Sequence, residues 1–498
     1  MANPNPTAST AGVTAVTAAI ETHSIDHVPH AERHGRVRDL GALWFVSNVN
    51  LTGMATGIAV MAVGASLFWS IVATVLGSLF GSFFMAFHSA QGSQLGLPQL
   101  VQSRPQFGYL GAALTVYVFA FVNYVAYNTS DALLSGGALH QVFDIPPVAG
   151  YLLAALVAAA IALFGYRWIH TVNKWLAIPI VVLLVLMTLA AFASPRMDAS
   201  VLAPGRFELA PFMTVFVVVA GFQLGWAPYV SDYSRYLPAT VGVRATFWWT
   251  YLSSAVSAVW VFVIGAVAAA IAPKADPVTA FMILGNALFP GFGTIVIVVL
   301  MLGLLSIMAI NQYGGSLTLI SILDTFTKIR TTRALRTATI LAMTAIVFGI
   351  SQFVGLDRFN AFYGNALIFL AYIFTPWTAI NLVDYFFVRK GRYVMSEIFN
   401  PHGIYGRWGW RGTLSYVITI VVMIPFMVTA PFTGFIAVAA QGVDYSMFVG
   451  LPVAGVLYWL FTRNLDLAKE DEMVDAEGLL TAHGGPAADD VVPADLTS

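Results

Sequence analysis

Trp44-Phe-Val-Ser-Asn-Val-Asn-Leu-Thr-Gly53 is the stretch that decides the fold. It sits inside an apolar run, roughly residues 40–64, and crossing a bilayer takes about 20 such residues. Yet Ser47, Asn48, Asn50, Thr52 and Gly53 fall near the centre of that run. A continuous helix in lipid has no use for so many polar groups. A helix broken at mid-membrane does, because amides and hydroxyls can satisfy the N–H and C=O groups that a break sets free. The run therefore reads as a discontinuous span.

A second stretch has the same character. Val219-Ala-Gly-Phe-Gln-Leu-Gly-Trp-Ala-Pro228 places Gly221, Gln223, Gly225 and Pro228 in the middle of another apolar run. Working outward, twelve runs have spanning length: approximately 40–64, 66–90, 108–138, 147–166, 172–194, 209–234, 245–272, 288–322, 335–355, 360–387, 413–437 and 444–462. The breaks fall in spans one and six. A five-plus-five inverted repeat puts them there, with spans eleven and twelve added. Small residues could also serve close helix packing alone, but two breaks at matching repeat positions weigh against that reading.

Composition agrees. Of 498 residues, 58% are hydrophobic and 9% are charged, against about 25% charged in soluble domains. A soluble protein of this length is excluded. The absence of cysteine excludes disulfides, thiolate metal sites and cysteine nucleophiles. Nothing in the charge points to a nucleic-acid partner; the lipid bilayer is the implied one. Counting the spans from the N-terminus, 19 of the 23 Lys and Arg fall on the side of the N-terminus. Only Arg196, Arg206, Lys274 and Arg358 fall on the other. By the positive-inside rule both termini are cytoplasmic, which places the chain as a multi-pass protein of the cytoplasmic (inner) membrane.

The expected fold is thus an all-α polytopic membrane protein of twelve transmembrane helices. Residues 1–35 and 464–498 lack a periodic apolar pattern and read as disordered cytoplasmic tails. Residues 36–390 would form the ten-helix transport core and 391–463 two additional helices. Short loops leave no room for a catalytic domain, and HExxH, GxSxG and Walker A patterns are missing. The chain reads as no enzyme, and as a secondary transporter rather than a channel.

Two loops carry a resemblance. Gly92-Ser-Gln-Leu-Gly-Leu-Pro-Gln-Leu-Val-Gln-Ser-Arg-Pro-Gln-Phe-Gly-Tyr-Leu-Gly111 and Ser231-Asp-Tyr-Ser-Arg-Tyr-Leu-Pro238 resemble hallmark loops of the nucleobase–cation symporter family. That family holds purine–cytosine permeases and hydantoin, allantoin and uracil carriers; the resemblance runs over roughly 32–463. It implies a leucine-transporter-like fold, alternating access, and import of a small planar heterocycle, cytosine or a purine first, with Na⁺ or H⁺. It implies no cofactor and a functional monomer. Some relatives have diverged to vitamins such as thiamine or pyridoxine.

A flat heterocycle offers two π faces and an edge of donors and acceptors. Aromatic rings suit the faces, and amides, which carry both a donor and an acceptor, suit the edge. On span three, Tyr124 and Asn128 share one helix face and Asn123 and Tyr127 another; the resemblance implies that one aromatic–amide pair faces substrate and leaves open which. It further implies substrate contacts from Asn50, from Gly221 and Phe222 with Gln223 and Trp226 nearby, and from Asn311. For a Na⁺ site it implies the carbonyls near Val46 and Val49, with Leu302 and Ser306 opposite. The chain departs there: sodium-dependent relatives tend to place two adjacent hydroxyls, and Leu305-Ser306 supplies one. A proton carrier needs a titratable group, and Asp131 is the only carboxylate well inside a span. Intramembrane carboxylates are functional by default.

Overall fold

The structure, a computed structural model, describes residues 26–482 apart from 165, 328, 330 and 331, and leaves out the side chains of 164–177 and 478–482. Expected disorder at 1–25 and 483–498, and the charges at Arg167, Lys174, Lys328 and Arg330, lie outside this description. Among the described residues the chain is helical, with one isolated β-bridge between Val428 and Thr433.

The opening stretch is broken as its polarity requires. Helix α1 (Val37–Asn48) ends, and α2 (Leu51–Met61) starts at an angle of 55° to it. Asn50 is extended at the break (φ −148°, ψ 175°). Its Oδ1 accepts from Gly53 N at 2.8 Å, and its Nδ2 donates to Ser47 O at 2.8 Å. One amide thus caps both half-helices. An N-cap of this kind is worth about 1 kcal/mol. Asn48 Nδ2 donates to Ser254 O and Ser257 Oγ, both at 3.0 Å, and so ties the break to a neighbouring helix.

The following elements are α3 (Leu67–Leu95), α4 (Tyr109–Phe143), α5 (Pro147–Phe164), α6 (Tyr166–Ala193), α7 (Leu209–Leu224), α8 (Val230–Ser234), α9 (Gly242–Ile271), α10 (Pro277–Asn286), α11 (Phe292–Phe326), α12 (Arg333–Val354), α13 (Phe359–Val383), α14 (Trp410–Met423), α15 (Ser446–Thr462) and α16 (Ala468–Ala482). Among the described residues six helices are long and apolar enough to cross a membrane, and α1 with α2 qualify together as a bent pair. Shorter apolar helices occupy the other five expected stretches. The sixth stretch is broken like the first: α7 stops at Leu224, and α8 begins at Val230, past Pro228.

The helices pack as two groups. Helix α9 lies along α1, α2 and α3, and α3 also packs on α7 and α8. In the other group α11 packs on α4 and α5, and α12 on both of those and on α11. Close approach within the first group depends on glycine. A Cβ at Gly57 of α2 would lie 1.9 Å from Phe262 O, and one at Gly265 of α9 would lie 1.8 Å from Met54 O. Such backbone contact is how helices gain van der Waals packing where lipid removes the hydrophobic drive.

Two elements were not expected. Asp276 caps α10, accepting from Val278 N at 3.0 Å and Thr279 N at 3.1 Å, with Pro277 in the first turn; Asp-Pro is a readable start signal. The second, α16, corrects the reading of 464–482 as disordered tail. It is polar, and its acidic residues hold it. Glu470 accepts from Arg389 Nε at 3.0 Å and Tyr405 OH at 2.7 Å. Asp471 and Asp475 pair with Arg392 at 2.7 and 2.6 Å, and Glu477 accepts from Met395 N and Ser396 N. Burial and the adjacent Glu470 carboxylate push the Tyr405 phenol well above its ordinary value, so it remains a donor. Upstream, Asp26–Arg36 is also ordered in part: buried Arg33 donates to Val28 O at 2.9 Å and Ser93 O at 3.3 Å.

Candidate functional site

Both breaks open onto one cavity between the two helix groups. Its lining includes Asn50 and Thr52 of the first break, Asn123, Tyr124, Tyr127 and Asp131 of α4, and Phe222, Gly225, Trp226, Tyr229 and Tyr233 around the second. Ile307, Ile310 and Asn311 of α11 complete it. The atom-free space around these residues, open mouth included, is about 540 Å³.

The aromatic rings form a slot. Tyr127 and Trp226 lie nearly parallel, 26° apart, with ring centroids 6.4 Å from each other. A planar ring between two others needs about 7 Å, twice a carbon–carbon contact distance. Opening the pair by about half an ångström would therefore admit a base. Phe222 stands edge-on to Tyr127 at 5.8 Å, to Trp226 at 6.5 Å and to Phe262 at 4.9 Å, and so closes one side of the slot. Tyr124 lies against Tyr229 at 4.4 Å, and Gly314 leaves it room: a Cβ there would lie 2.5 Å from the Tyr124 hydroxyl.

Polar groups hold the second break and leave unused capacity. Asn123 Nδ2 donates to Gly225 O at 2.8 Å and to Tyr229 OH at 3.1 Å; Tyr229 OH donates to Ala120 O at 2.7 Å. Asn123 Oδ1 has no partner, and neither has Trp226 Nε1. Thr52 donates its hydroxyl to Asp131 Oδ1, whereas Asp131 Oδ2 is buried without a partner. Thr56 Oγ1 continues the network to the Tyr363 hydroxyl at 3.0 Å. Unpaired buried polar atoms cost free energy unless a ligand completes them.

Seven of the expected substrate residues line this cavity: Asn50, Asn123, Tyr124, Tyr127, Phe222, Trp226 and Asn311. Asp131, the proton candidate, joins them. Three do not. Asn128 faces α11, with its amide nitrogen towards Met308 O at 3.2 Å and its oxygen towards Gln312 N at 3.3 Å. At 100° per residue, Asn123, Tyr127, Asp131 and Tyr124 fall within an arc of about 100°, and Asn128 lies about 40° beyond it. The pairs (i, i+4) were therefore the wrong unit, and the face is shared by members of both. Gln223 pairs instead with Ser254, accepting from its Oγ at 3.1 Å. Gly221 meets α13, where a Cβ would lie 2.3 Å from Leu367 O. Asn128→Ala should therefore lower stability by about 0.6 kcal/mol, a typical interhelical hydrogen bond in a bilayer. Thermal melting of the purified protein checks that, and substrate half-saturation should stay within about twofold.

The expected cation positions divide. Ser306 Oγ is buried and has no partner, as an ion ligand would be before binding. Val49 sits at the break with non-helical backbone (ψ 76°), and its N–H bonds Val46 O at 2.9 Å. The Leu302 side chain is 46% exposed and faces away from the interior, so only its carbonyl could serve. Sequence reading missed Tyr229, Tyr233, Ile307, Ile310 and the lining role of Thr52. For Tyr229 the signal was available: it lies in the same break as Trp226.

Two interrupted helices whose breaks face an enclosed aromatic cavity define a secondary transporter. Comparison with known proteins gives the family. Residues 27–450 match the family described as permeases for cytosine/purines, uracil, thiamine and allantoin, and the chain belongs to that family. A Bacillus subtilis protein named as a purine-cytosine permease, YxlA, is 35% identical over 89% of this chain and 96% of its own length. The purine-cytosine permease fcyB of Emericella nidulans is 28% identical over 88% and 87%. Among solved structures, inward-facing Mhp1 superposes with a TM-score of 0.72 at 17% identity, covering 91% of this chain and 97% of that one. Mhp1 in a closed conformation with bromovinylhydantoin bound gives 0.70, also at 17% identity, over 92% and 99%. The fold is shared with Mhp1, a nucleobase-cation-symport-1 family transporter.

Proposed function

We propose that this protein imports a nucleobase or closely related planar heterocycle, cytosine or a purine first, by alternating access coupled to Na⁺ or H⁺. The observation that carries the reading is the near-parallel Tyr127–Trp226 pair, 6.4 Å apart, beside unpaired polar atoms of Asn123 and Asp131. Such a site suits a flat neutral ring with an edge to be read. Relatives named as purine-cytosine permeases support the substrate class. Yeast relatives named as vitamin B6 transporters, 19% identical over 56% of the chain, make a vitamin the competing cargo.

The reading includes twelve spans, with a transport core over 36–390 and two further helices over 391–463. It includes cytoplasmic termini, the inner membrane and a functional monomer. The inverted repeat is supported by the packing: spans one, two, six and seven form one group and three, four, eight and nine the other, each pair recurring five spans later. Ion coupling is tested by uptake of labelled cytosine, adenine, uracil, allantoin and pyridoxine into cells lacking their own carriers. Cytosine or adenine should accumulate saturably. Removing Na⁺ at fixed pH, or adding a protonophore at fixed Na⁺, should abolish accumulation in one case. Uptake that never saturates and ignores both gradients would indicate a channel; competition by pyridoxine but by no base would indicate the vitamin.

A further inference from the structure

We propose that Asp131 is at once the group that reads the edge of the base and the group that carries the coupling proton, so that base and proton bind as one unit at a single carboxyl. The inference rests on the nucleobase reading above and specifies how that site works.

Asp131 is 1% exposed and lines the cavity. One of its oxygens is occupied by the Thr52 hydroxyl of the broken first span, and the other is unpartnered. Among the described residues no Lys, Arg or His lines the cavity. Among the described residues the titratable groups facing Asp131 are two phenols, Tyr127 on its own helix and Tyr363 on α13. The Tyr127 hydroxyl donates to Phe222 O at 3.4 Å and the Tyr363 hydroxyl is joined to Thr56. From α2 and α11 come neutral groups turned to the carboxyl, the Thr52 hydroxyl and, too far or too tilted for a full hydrogen bond to Oδ2, the Asn311 amide. Nothing there balances a negative charge, and an unpaired buried charge is costly.

Protonation removes the charge and changes what the group recognises. An ionised carboxylate offers acceptors alone. A protonated one sets an O–H donor beside a C=O acceptor. Nucleobase edges are built from a donor next to an acceptor: an amino group beside a ring nitrogen, or a ring N–H beside a carbonyl. The neutral acid matches either with two hydrogen bonds, and the Asn123 carbonyl can take a further N–H. The carboxylate meets the ligand's acceptor with a like partial charge. Base binding therefore raises the proton affinity of Asp131, and protonation raises base affinity by the same factor. The proton comes from the outer solution to Oδ2, crosses with the base, and leaves to the cytoplasm when the base departs. One proton moves per base. Because Thr52 belongs to a half-helix of the first break, loss of the proton also alters a contact between α4 and α2.

The sign follows. Base affinity is full at low pH and falls as pH rises and Asp131 loses its proton. Asp131→Asn offers a permanent donor–acceptor pair that cannot titrate.

The test uses purified full-length protein in weakly buffered detergent with a pH dye and labelled cytosine. At a pH high enough that the empty protein has lost the Asp131 proton, wild type should take up about one proton per cytosine bound, and at low pH none. N4,N4-dimethylcytosine, which has lost the amino N–H, should bind at least tenfold more weakly. Asp131→Asn should bind cytosine within about threefold of wild-type affinity at low pH, with no pH dependence and no proton uptake. In cells it should equilibrate cytosine without accumulating it. Cytosine binding to wild type with no proton uptake at any pH, and with an affinity that does not fall as pH rises, overturns this proposal and leaves the nucleobase reading standing, and needs no variant. Accumulation by Asp131→Asn equal to wild type overturns it as well. Wild type that is folded and binds no base removes the nucleobase reading, and this proposal with it.

Discussion

Arg389→Ala should destabilise the folded protein by about 3–5 kcal/mol, the cost of leaving buried charges without their partner. Arg389 lies just past the π-helical turn Asp384–Val388 that follows α13. Its Nη1 meets Asp384 Oδ1 at 2.5 Å, and its Nε meets Glu470 Oε1 at 3.0 Å. Asp384 is fully buried, and Glu470 and Arg389 are nearly so. Asp384 also accepts from Gln106 Nε2 at 2.6 Å, Tyr458 OH at 2.8 Å and Tyr393 OH at 2.9 Å. The cluster therefore joins the loop after α3, the end of α13, α15 and α16. Removing the guanidinium strands two carboxylates; removing Glu470 strands none. Glu470→Gln keeps a polar group facing Arg389 and Tyr405 and should cost much less than Arg389→Ala. Arg389→Lys restores charge without the forked geometry and should recover part of the loss. Melting curves in one detergent check the order. Equal melting of Arg389→Ala and wild type would show that the cluster does not hold the helix ends together.

The second large effect falls on binding. Tyr127→Ala and Trp226→Ala should each weaken nucleobase binding by about 1–3 kcal/mol, roughly five- to 150-fold, since that is the measured range for losing one base–aromatic stack. The two rings are the faces of the slot, and each carries one face of the base. Trp226→Phe keeps a ring and should recover most of the affinity, which separates stacking from the unpaired indole N–H. Phe222 is a poorer test, because its ring is 1% exposed and wedged against Phe262, so its loss would disturb packing as well. Equilibrium binding of labelled adenine is the measurement. Alanine variants that melt normally and bind as wild type would place the substrate elsewhere.

The breaks were legible because polar side chains at mid-membrane are too costly to be incidental. Asn50 shows the logic directly: an amide in an apolar run became the cap of two half-helices. Tyr127, Trp226 and Asp131 were legible as residue types with an evident use in a carrier of flat molecules. Which face of α4 Tyr127 and Asp131 share was not, because a four-residue spacing describes a pair and the cavity is lined by an arc. Asn128, only 40° outside that arc, could not be separated by counting. Leu302 is similar: the sequence number of a carbonyl ligand says nothing of where its side chain faces. Ile307 and Ile310 left no signal among the many apolar residues of α11. Helix α16 was hidden for another reason. It has no apolar stripe, and the partners that hold it, Arg389 and Arg392, lie about 80 residues earlier in the chain. Long-range ion pairs leave no local pattern.

The central claim is that a planar base sits between the two broken helices. The most direct measurement is an experimental structure of the protein with adenine or cytosine at saturating concentration. The account predicts the ring between Tyr127 and Trp226, its edge turned to Asp131 and Asn123, and the two rings moved apart from 6.4 Å to about 7 Å. A base bound elsewhere, or an empty slot in protein shown to bind the base, would contradict it.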